Sequence, residues 1–251
     1  MSLTDSELDR YARHIVLPDV GGRGQMALHR ARVAVVGAGG LGAPLLLYLA
    51  AAGVGRLTII DDDVVALSNL QRQVLYATAD LGALKAEAAA AHLAALNPHV
   101  ELVPVALRLD AENADALLAG HDVIADGCDN FATRLVVART AVALQVPLVS
   151  GAVGQFDGQW GSFAGHLPDQ PCYQCFVGHD PETPGRNCAE AGVLGALTGL
   201  VGSQMALEVL RLLTGFGSPQ TGRLHMFDGL AGRSRSLALA KDAACPICAA
   251  A

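Results

Sequence analysis

Four groups of residues in this 251-residue sequence have the types and spacing that chemistry needs. Gly37, Gly39 and Gly42 stand at the G-x-G-x-x-G spacing inside VAVVGAGGLGAP. After an apolar strand, such glycines allow a tight turn, a close approach of backbone to phosphate, and helix-on-strand packing. The free N–H groups at the helix start then favour an anion. Taken alone, this turn points to NAD or FAD, with an acid about 20 residues on for the ribose hydroxyls. Asp61, at the end of an apolar run, meets that requirement.

The next loop departs from a dehydrogenase. Asp61, Asp62 and Asp63 lead to Ser68, Asn69, Leu70, Gln71, Arg72 and Gln73. An arginine beside a phosphate turn favours a polyphosphate. Carboxylates near it can help hold magnesium, which prefers oxygen ligands. A solvated strand-end charge run is the plainer alternative. Lys85 follows near the start of an expected helix, where an ordinary surface lysine is the competing reading. Asp126, Asp129 and Asn130 close another expected strand in DGCDN. Open α/β sheets bind ligands at the carboxyl ends of their strands, so Asp129 is a candidate magnesium ligand against a triphosphate. Capping of the next helix by Asp129 or Asn130 is compatible with that role.

Cys172 and Cys175 form one C-x-x-C pair, and Cys245 and Cys248 another. Two such pairs are a strong signal for tetrathiolate zinc; redox dithiols are the alternative. The 69 residues between the pairs imply a structural zinc that pins the C-terminal tail to the middle of the chain. Cys128 lies inside DGCDN. Cys188 lies in a polar stretch before a long expected helix, a position that favours the thiolate but equally suits a plain loop cysteine. The histidines show no metal-ligand spacing.

Strands expected at 32–36, 57–60, 100–107, 122–125 and 147–150 must position these groups. Helices expected from Pro44 to Gly53, and at 82–96, 110–118 and 131–144, alternate with them. That rhythm implies an α/β, Rossmann-like, mostly parallel sheet with helices on both faces. After Gly151 the sequence reads as antiparallel strands, a loop at 167–190, a long helix at 193–213 and two further strands. Residues 2–30 read as helical with a break at Gly21-Gly22. One core is expected throughout, so the chain reads as a single domain with a soft boundary near Gly151.

Composition limits the function. At 52% hydrophobic and 16% charged residues, the chain can build a sizeable core and does not read as disordered. A net charge of −7 argues against a general nucleic-acid binder. The apolar run at 191–207 is Gly-rich and bounded by charge, which favours a buried core helix over a membrane span. The polar N-terminus lacks the apolar segment of a signal peptide. With six cysteines, that points to a reducing cytoplasm.

In combination and order, GAGGLGAP, YLAAAGVGRLTIIDDDVVALSNLQRQVLY, CDN, CYQC, NCAEAGV and CPIC resemble the MoeB/ThiF family. These are bacterial relatives of ubiquitin-activating enzymes, and the resemblance runs from Arg10 to Cys248. It implies an adenylyltransferase that uses ATP and Mg to activate the C-terminal Gly-Gly carboxylate of a small ubiquitin-like sulfur-carrier protein. A sulfur donor such as a cysteine desulfurase would then complete the thiocarboxylate. By position, Gly39 and Gly40 would line the ATP turn, and Asp61 would hold the ribose beside Asp63. Asn69, Arg72 and Lys85 would face the phosphates, Asp129 would bind Mg, and Ser68, Leu70, Gln71 and Asn130 would belong to the same cofactor site. The four C-x-x-C cysteines would carry Zn. Arg13 would reach the partner's ATP in a homodimer. Cys188 matches a position used for a sulfur-linked intermediate in some members. The nucleotide part would occupy about 30–150, and the carrier-binding and zinc part about 151–251. VSGAVGQFDGQ and CYQCF look closer to MoeB-type members of molybdopterin synthesis than to ThiF-type activation of the thiamine carrier.

Overall fold

A computed structural model of the chain describes residues 3–178 and 192–249. In chain order the elements are α1 (Asp5–Arg10), α2 (Ala12–Ile15), α3 (Gly21–Arg30), β1 (Arg32–Val36), α4 (Gly42–Ala51), β2 (Arg56–Ile60), α5 (Lys85–Leu96), β3 (Glu101–Val105), α6 (Ala114–Leu118), β4 (Val123–Asp126), α7 (Phe131–Ala143), β5 (Leu148–Val153), β6 (Asp157–Phe163), α8 (Tyr173–Val177), α9 (Gly195–Thr214), β7 (Arg223–Asp228) and β8 (Arg233–Ala238). The described strands form one sheet in the order β3-β2-β1-β4-β5-β6-β7-β8. β3 to β5 in that order pair in parallel, and β6 to β8 add on antiparallel.

The two faces follow from the period of two along each strand. Val33, Val35, Leu57, Ile59, Val123, Ala125 and Val149 point to one core with residues of α3, α4, α5 and α9. Ala34, Val36, Ile60, Ile124 and Leu148 point to the other, with residues of α6, α7 and α8. α4 packs Leu45, Leu46 and Leu49 with no exposure, each contributing about 1.5–3 kcal/mol by burial.

Several boundaries differ from the sequence reading, each for a local reason. Gly21 and Gly22 open α3 rather than break a helix. The helices are interrupted at Tyr11 and again between Ile15 and Gly21; Tyr11 is buried and accepts a hydrogen bond at its hydroxyl from Asn97 Nδ2 at 2.8 Å. α5 begins only at Lys85, because Leu84 is held in a bridge to Val64 and the Lys85 N–H donates to Asp63 O. α6 is shorter than 110–118, because Asp110 Oδ1 accepts from the N–H groups of Glu112 and Asn113 in a local turn. β3 lies at the sheet edge, where Pro104 removes no needed donor. β5 runs on to Val153 because it pairs with β6 as far as Gly158. Part of the expected loop at 167–190 is the helix α8.

α9 is long and apolar enough by composition to span a bilayer. Here it packs Leu197, Val201, Met205 and Val209 into the core, on one face at i, i+4 spacing. Gly202 and Gly151 let it lie close: a Cβ on Gly202 would sit 2.5 Å from Leu41 O, and one on Gly151 2.4 Å from Met205 Sδ.

Candidate active site

The strand order turns around β1, with β2 on one side and β4 on the other, so the crossovers diverge there. In α/β sheets the crevice at such a switch point binds ligands. The register aligns Val36 with Ile60 and with Asp126. The carboxyl ends of all three strands therefore open side by side into a cleft of about 890 Å³.

The glycine turn forms one wall. Gly37 takes φ +88°, a left-handed conformation, and its N–H donates to Ile60 O at 2.8 Å. A Cβ on Gly42 would lie 1.9 Å from Gly37 O, so only glycine closes this turn onto α4. Asp61 ties the turn to β2: its Oδ2 accepts from the Ala38 N–H at 2.7 Å and its Oδ1 from the Asp63 N–H at 2.9 Å. Burial pushes its carboxyl above the usual carboxylate value, opposed by the Lys85 charge and those two N–H groups. Tyr76 locks the same turn from behind, donating to Ala38 O at 2.8 Å; burial keeps its phenol protonated well above neutral pH.

The cations face that wall. Lys85 is buried along its stem, and its Nζ lies 2.8 Å from Asp63 Oδ2, whose side chain is exposed. Arg72 lines the cleft and donates from Nη1 to Ser68 O at 2.9 Å. Thr198 of α9 donates to the Arg72 carbonyl at 3.3 Å. Gln73 lines the cleft, buried, with its Oε1 lacking a partner among the described residues.

On the β4 side, Asp129 is exposed at the cleft, and Asn130 caps α7 by accepting from the Thr133 N–H at 2.8 Å. Beneath them lies a buried network. Arg134 Nη2 donates to Cys128 O, and Nη1 donates to Ser150 Oγ at 3.2 Å. Ser150 Oγ donates to Asp126 Oδ2 at 2.8 Å, and Asp126 Oδ1 accepts from the Cys128 N–H at 3.0 Å. Burial, with Asp126 beside it, pushes the Cys128 thiol well up. Cys128 therefore sits here as a neutral wall residue.

Of the residues expected at the site, Gly39, Gly40, Asp61, Asp63, Arg72, Lys85, Asp129 and Asn130 converge on the cleft. Ser68, Asn69, Leu70 and Gln71 build the loop that carries Arg72. Asn69 Oδ1 accepts from the Ala66 N–H, Leu70 packs against the core, and Gln71 O abuts Gly195. Arg13 is exposed on α2 and is not part of its own chain's cleft lining. Cys188 lies outside the described residues. Sequence reasoning missed Tyr76, Arg134, Ser150, Tyr173 and Thr198. A signal existed for Arg134: it falls three and four residues before Val137 and Ala138, on the stripe that α7 buries.

The four C-x-x-C cysteines gather at the far side of α8. Cys172 Sγ lies 3.8 Å from Cys175 Sγ and 3.6 Å from Cys245 Sγ, and Cys175 Sγ lies 3.4 Å from Cys248 Sγ. All four sulfurs fall within 4.8 Å of one another. A zinc tetrahedron with bonds of about 2.3 Å has sulfur–sulfur edges of about 3.8 Å, so the set fits zinc. The Asp242 N–H donates to Cys175 Sγ at 3.5 Å, the kind of outer contact that orients a thiolate ligand. Burial pushes the Cys172 thiol up, so a cation is what would let it ionise there.

The model of the ThiF family matches residues 11–247. The sulfur carrier protein adenylyltransferase of Thermus thermophilus is 48% identical, over 99% of this chain and 93% of that protein. The SAMP-activating enzyme E1 of Haloferax volcanii is 45% identical, over 99% and 91%. The molybdopterin-synthase adenylyltransferase of Salmonella typhimurium is 41% identical, over 98% of each. Among solved structures, the microcin C7 biosynthetic enzyme MccB in complex with N-formylated MccA superposes at a TM-score of 0.86. That match covers 98% of this chain and 77% of the other at 18% identity, a likeness of fold alone.

Proposed function

The chain belongs to the ThiF family of adenylyltransferases, and we propose that it uses ATP to adenylate the C-terminal Gly-Gly carboxylate of a ubiquitin-like sulfur-carrier protein. The observation that carries this reading is the convergence of the glycine turn, Arg72, Lys85 and Asp129 on one cleft. The carrier of molybdopterin synthesis is the substrate we favour, on the wording of 149–159 and the CYQCF segment. Activation of the thiamine carrier is the second reading, since the same cleft chemistry serves it.

The reaction forms a bond between a carboxylate oxygen and the α-phosphorus, and breaks the bond to the bridging oxygen of pyrophosphate. Pyrophosphate leaves with the electron pair. The carboxylate is already ionised at neutral pH, so no general base is needed. The demand is charge neutralisation on a polyphosphate. The N–H groups at the start of α4 would face the phosphates, and Asp61 would hold the ribose hydroxyls. Arg72 would meet the phosphates directly. Lys85 would exchange part of its contact with Asp63 for phosphate oxygen. Magnesium held by Asp129 would supply further positive charge to the leaving pyrophosphate. The acyl adenylate would then yield to a sulfur nucleophile delivered by a donor such as a cysteine desulfurase, releasing AMP. Whether Cys188 carries that sulfur is open to a direct test: Cys188→Ala with full thiocarboxylate formation removes it from the mechanism.

The reading includes a homodimer in which Arg13 enters the partner's cleft. Its exposure on α2, beside the exposed Val16 and Leu17, supports that arrangement. The test of the carrier is exchange of labelled pyrophosphate into ATP with each candidate carrier added separately. Exchange with the molybdopterin carrier alone is the expected result, and exchange with the thiamine carrier alone selects the second reading.

A further inference from the structure

Two oppositely charged side chains grip the backbone of a single residue beside the cleft. The Cys128 N–H donates to Asp126 Oδ1 at 3.0 Å, and the Cys128 carbonyl accepts from Arg134 Nη2. The two holders are joined behind it. Arg134 Nη1 donates to Ser150 Oγ at 3.2 Å, and Ser150 Oγ donates to Asp126 Oδ2 at 2.8 Å. Nη1 itself stands 3.8 Å from that carboxylate oxygen. All three side chains are buried, with Asp126 1% and Arg134 7% exposed. They come from the end of β4, from α7 and from β5, so the grip draws on three elements. The gripped loop is also seated on the glycine turn. The Gly127 N–H donates to Val36 O at 2.9 Å, and a Cβ on Gly37 would lie 3.0 Å from Cys128 N. Asp129 follows Cys128 directly and stands exposed at the cleft.

We propose that Arg134, Asp126 and Ser150 are positioning residues that hold Asp129 at a set place relative to the glycine turn. The inference rests on the reading of Asp129 as the magnesium ligand of the adenylation site. A buried ion pair adds little net stability, because desolvation offsets much of its attraction. What this pair supplies is geometry. A guanidinium carries its donors in a fixed planar fork. One arm is anchored through Ser150 and Asp126, which sets the direction of the other and so the place of the Cys128 carbonyl. The Asp126 carboxylate sets the N–H of the same residue. With both polar groups of Cys128 fixed, the backbone that enters Asp129 is fixed as well, and the Asp129 carboxylate is left free at the surface for a cation. Outer contacts of this kind change metal affinity by about 10- to 100-fold.

Arg134→Lys is the first variant, since it keeps a charge opposite Asp126 and loses the planar fork. The measurement is the affinity of the full chain for Mn, a paramagnetic stand-in for Mg, with a non-hydrolysable ATP analogue bound, read by electron paramagnetic resonance. It is repeated in an Asp129→Asn background. The expected result is Mn affinity weakened on the order of tenfold by Arg134→Lys, and no further loss from it in the Asp129→Asn background. Such non-additivity marks action through Asp129, whereas a merely structural loss would weaken binding equally in both backgrounds. Where Arg134→Lys does not fold, Ser150→Ala takes its place. It removes only the bridging hydroxyl, and the same pattern is expected. Native Mn affinity in the folded variant, or an equal loss in both backgrounds, would overturn the proposal. Native Mn affinity in Asp129→Asn alone would overturn the reading of Asp129 as the ligand, and the proposal with it. Absence of carrier-dependent pyrophosphate exchange in the native chain, with the expected Mn pattern present, would overturn the adenylation reading and leave the positioning role standing.

Discussion

At the scale of single residues, Arg72 and Lys85 would carry the charge neutralisation that adenylation demands, from among the cations that line the cleft. Arg72 is held by Ser68 O, and its Cδ packs beside the glycine turn. Arg72→Ala should retain the fold and lower pyrophosphate exchange by about 10²–10³-fold, the usual loss for one preorganised transition-state contact. Lys85→Ala should do the same and leave the exposed Asp63 carboxylate without its cation. Steady-state exchange rates beside circular dichroism check both. These residues were legible because a charge beside a glycine turn is unusual in type and place. Arg134 went unread as a site residue, because a lone arginine in an expected helix reads as surface unless its spacing to Val137 and Ala138 on the buried stripe is followed. Cys128 was legible in position but not in character. Its neutrality follows from burial beside Asp126, which spacing does not reveal.

At the scale of elements, the turn from β1 into α4 is the most constrained feature. Gly42→Ala would bring a methyl 1.9 Å from Gly37 O, against backbone that cannot yield. It should destabilise the chain by about 1–3 kcal/mol, as overpacking does, and abolish nucleotide binding; thermal melts with and without ATP read both effects. The N-terminal arm that carries Arg13 is held by a different device. Glu7 Oε2 accepts from the Thr4 N–H at 2.8 Å, and His29 Nδ1 lies 3.1 Å from Glu7 Oε1. The Thr4 N–H holds the Glu7 carboxyl below its ordinary value of 4.5. A lowered value means the ionised form is the stabilising one. Its contribution is full above that ordinary value and is lost as pH falls through the lower, folded value. The gap in melting temperature between the native chain and Glu7→Gln should therefore be open at pH 7 and close in acid below 4.5. The strands and the longer helices were legible from period and punctuation. The ends of α5 and α6 were not, since Leu84 and Asp110 are fixed by contacts that helical periodicity does not encode.

At the scale of the whole molecule, the sheet gathers three strand ends into a cleft, and the cysteine cluster ties the C-terminal tail to the sheet's far half. Cys248→Ser should lower zinc content and melting temperature together, as measured by elemental analysis and calorimetry. The two-pair spacing made this site legible across the 69 intervening residues, because zinc geometry constrains sequence tightly. The cleft's second contributor is argued at this scale too. If Arg13 serves the partner's site, Arg13→Ala and Lys85→Ala chains are each inactive, yet their mixed dimers hold one intact site. Co-refolded equal mixtures should recover roughly a quarter of native activity by random pairing. The central claim is that the cleft adenylates a Gly-Gly carboxylate, and pyrophosphate exchange reads that step alone. With ATP, Mg and a sulfur carrier ending in Gly-Gly, label from pyrophosphate should enter ATP, and a carrier lacking its last glycine should give none. Exchange that is absent with every sulfur carrier, or indifferent to the missing glycine, would contradict the account.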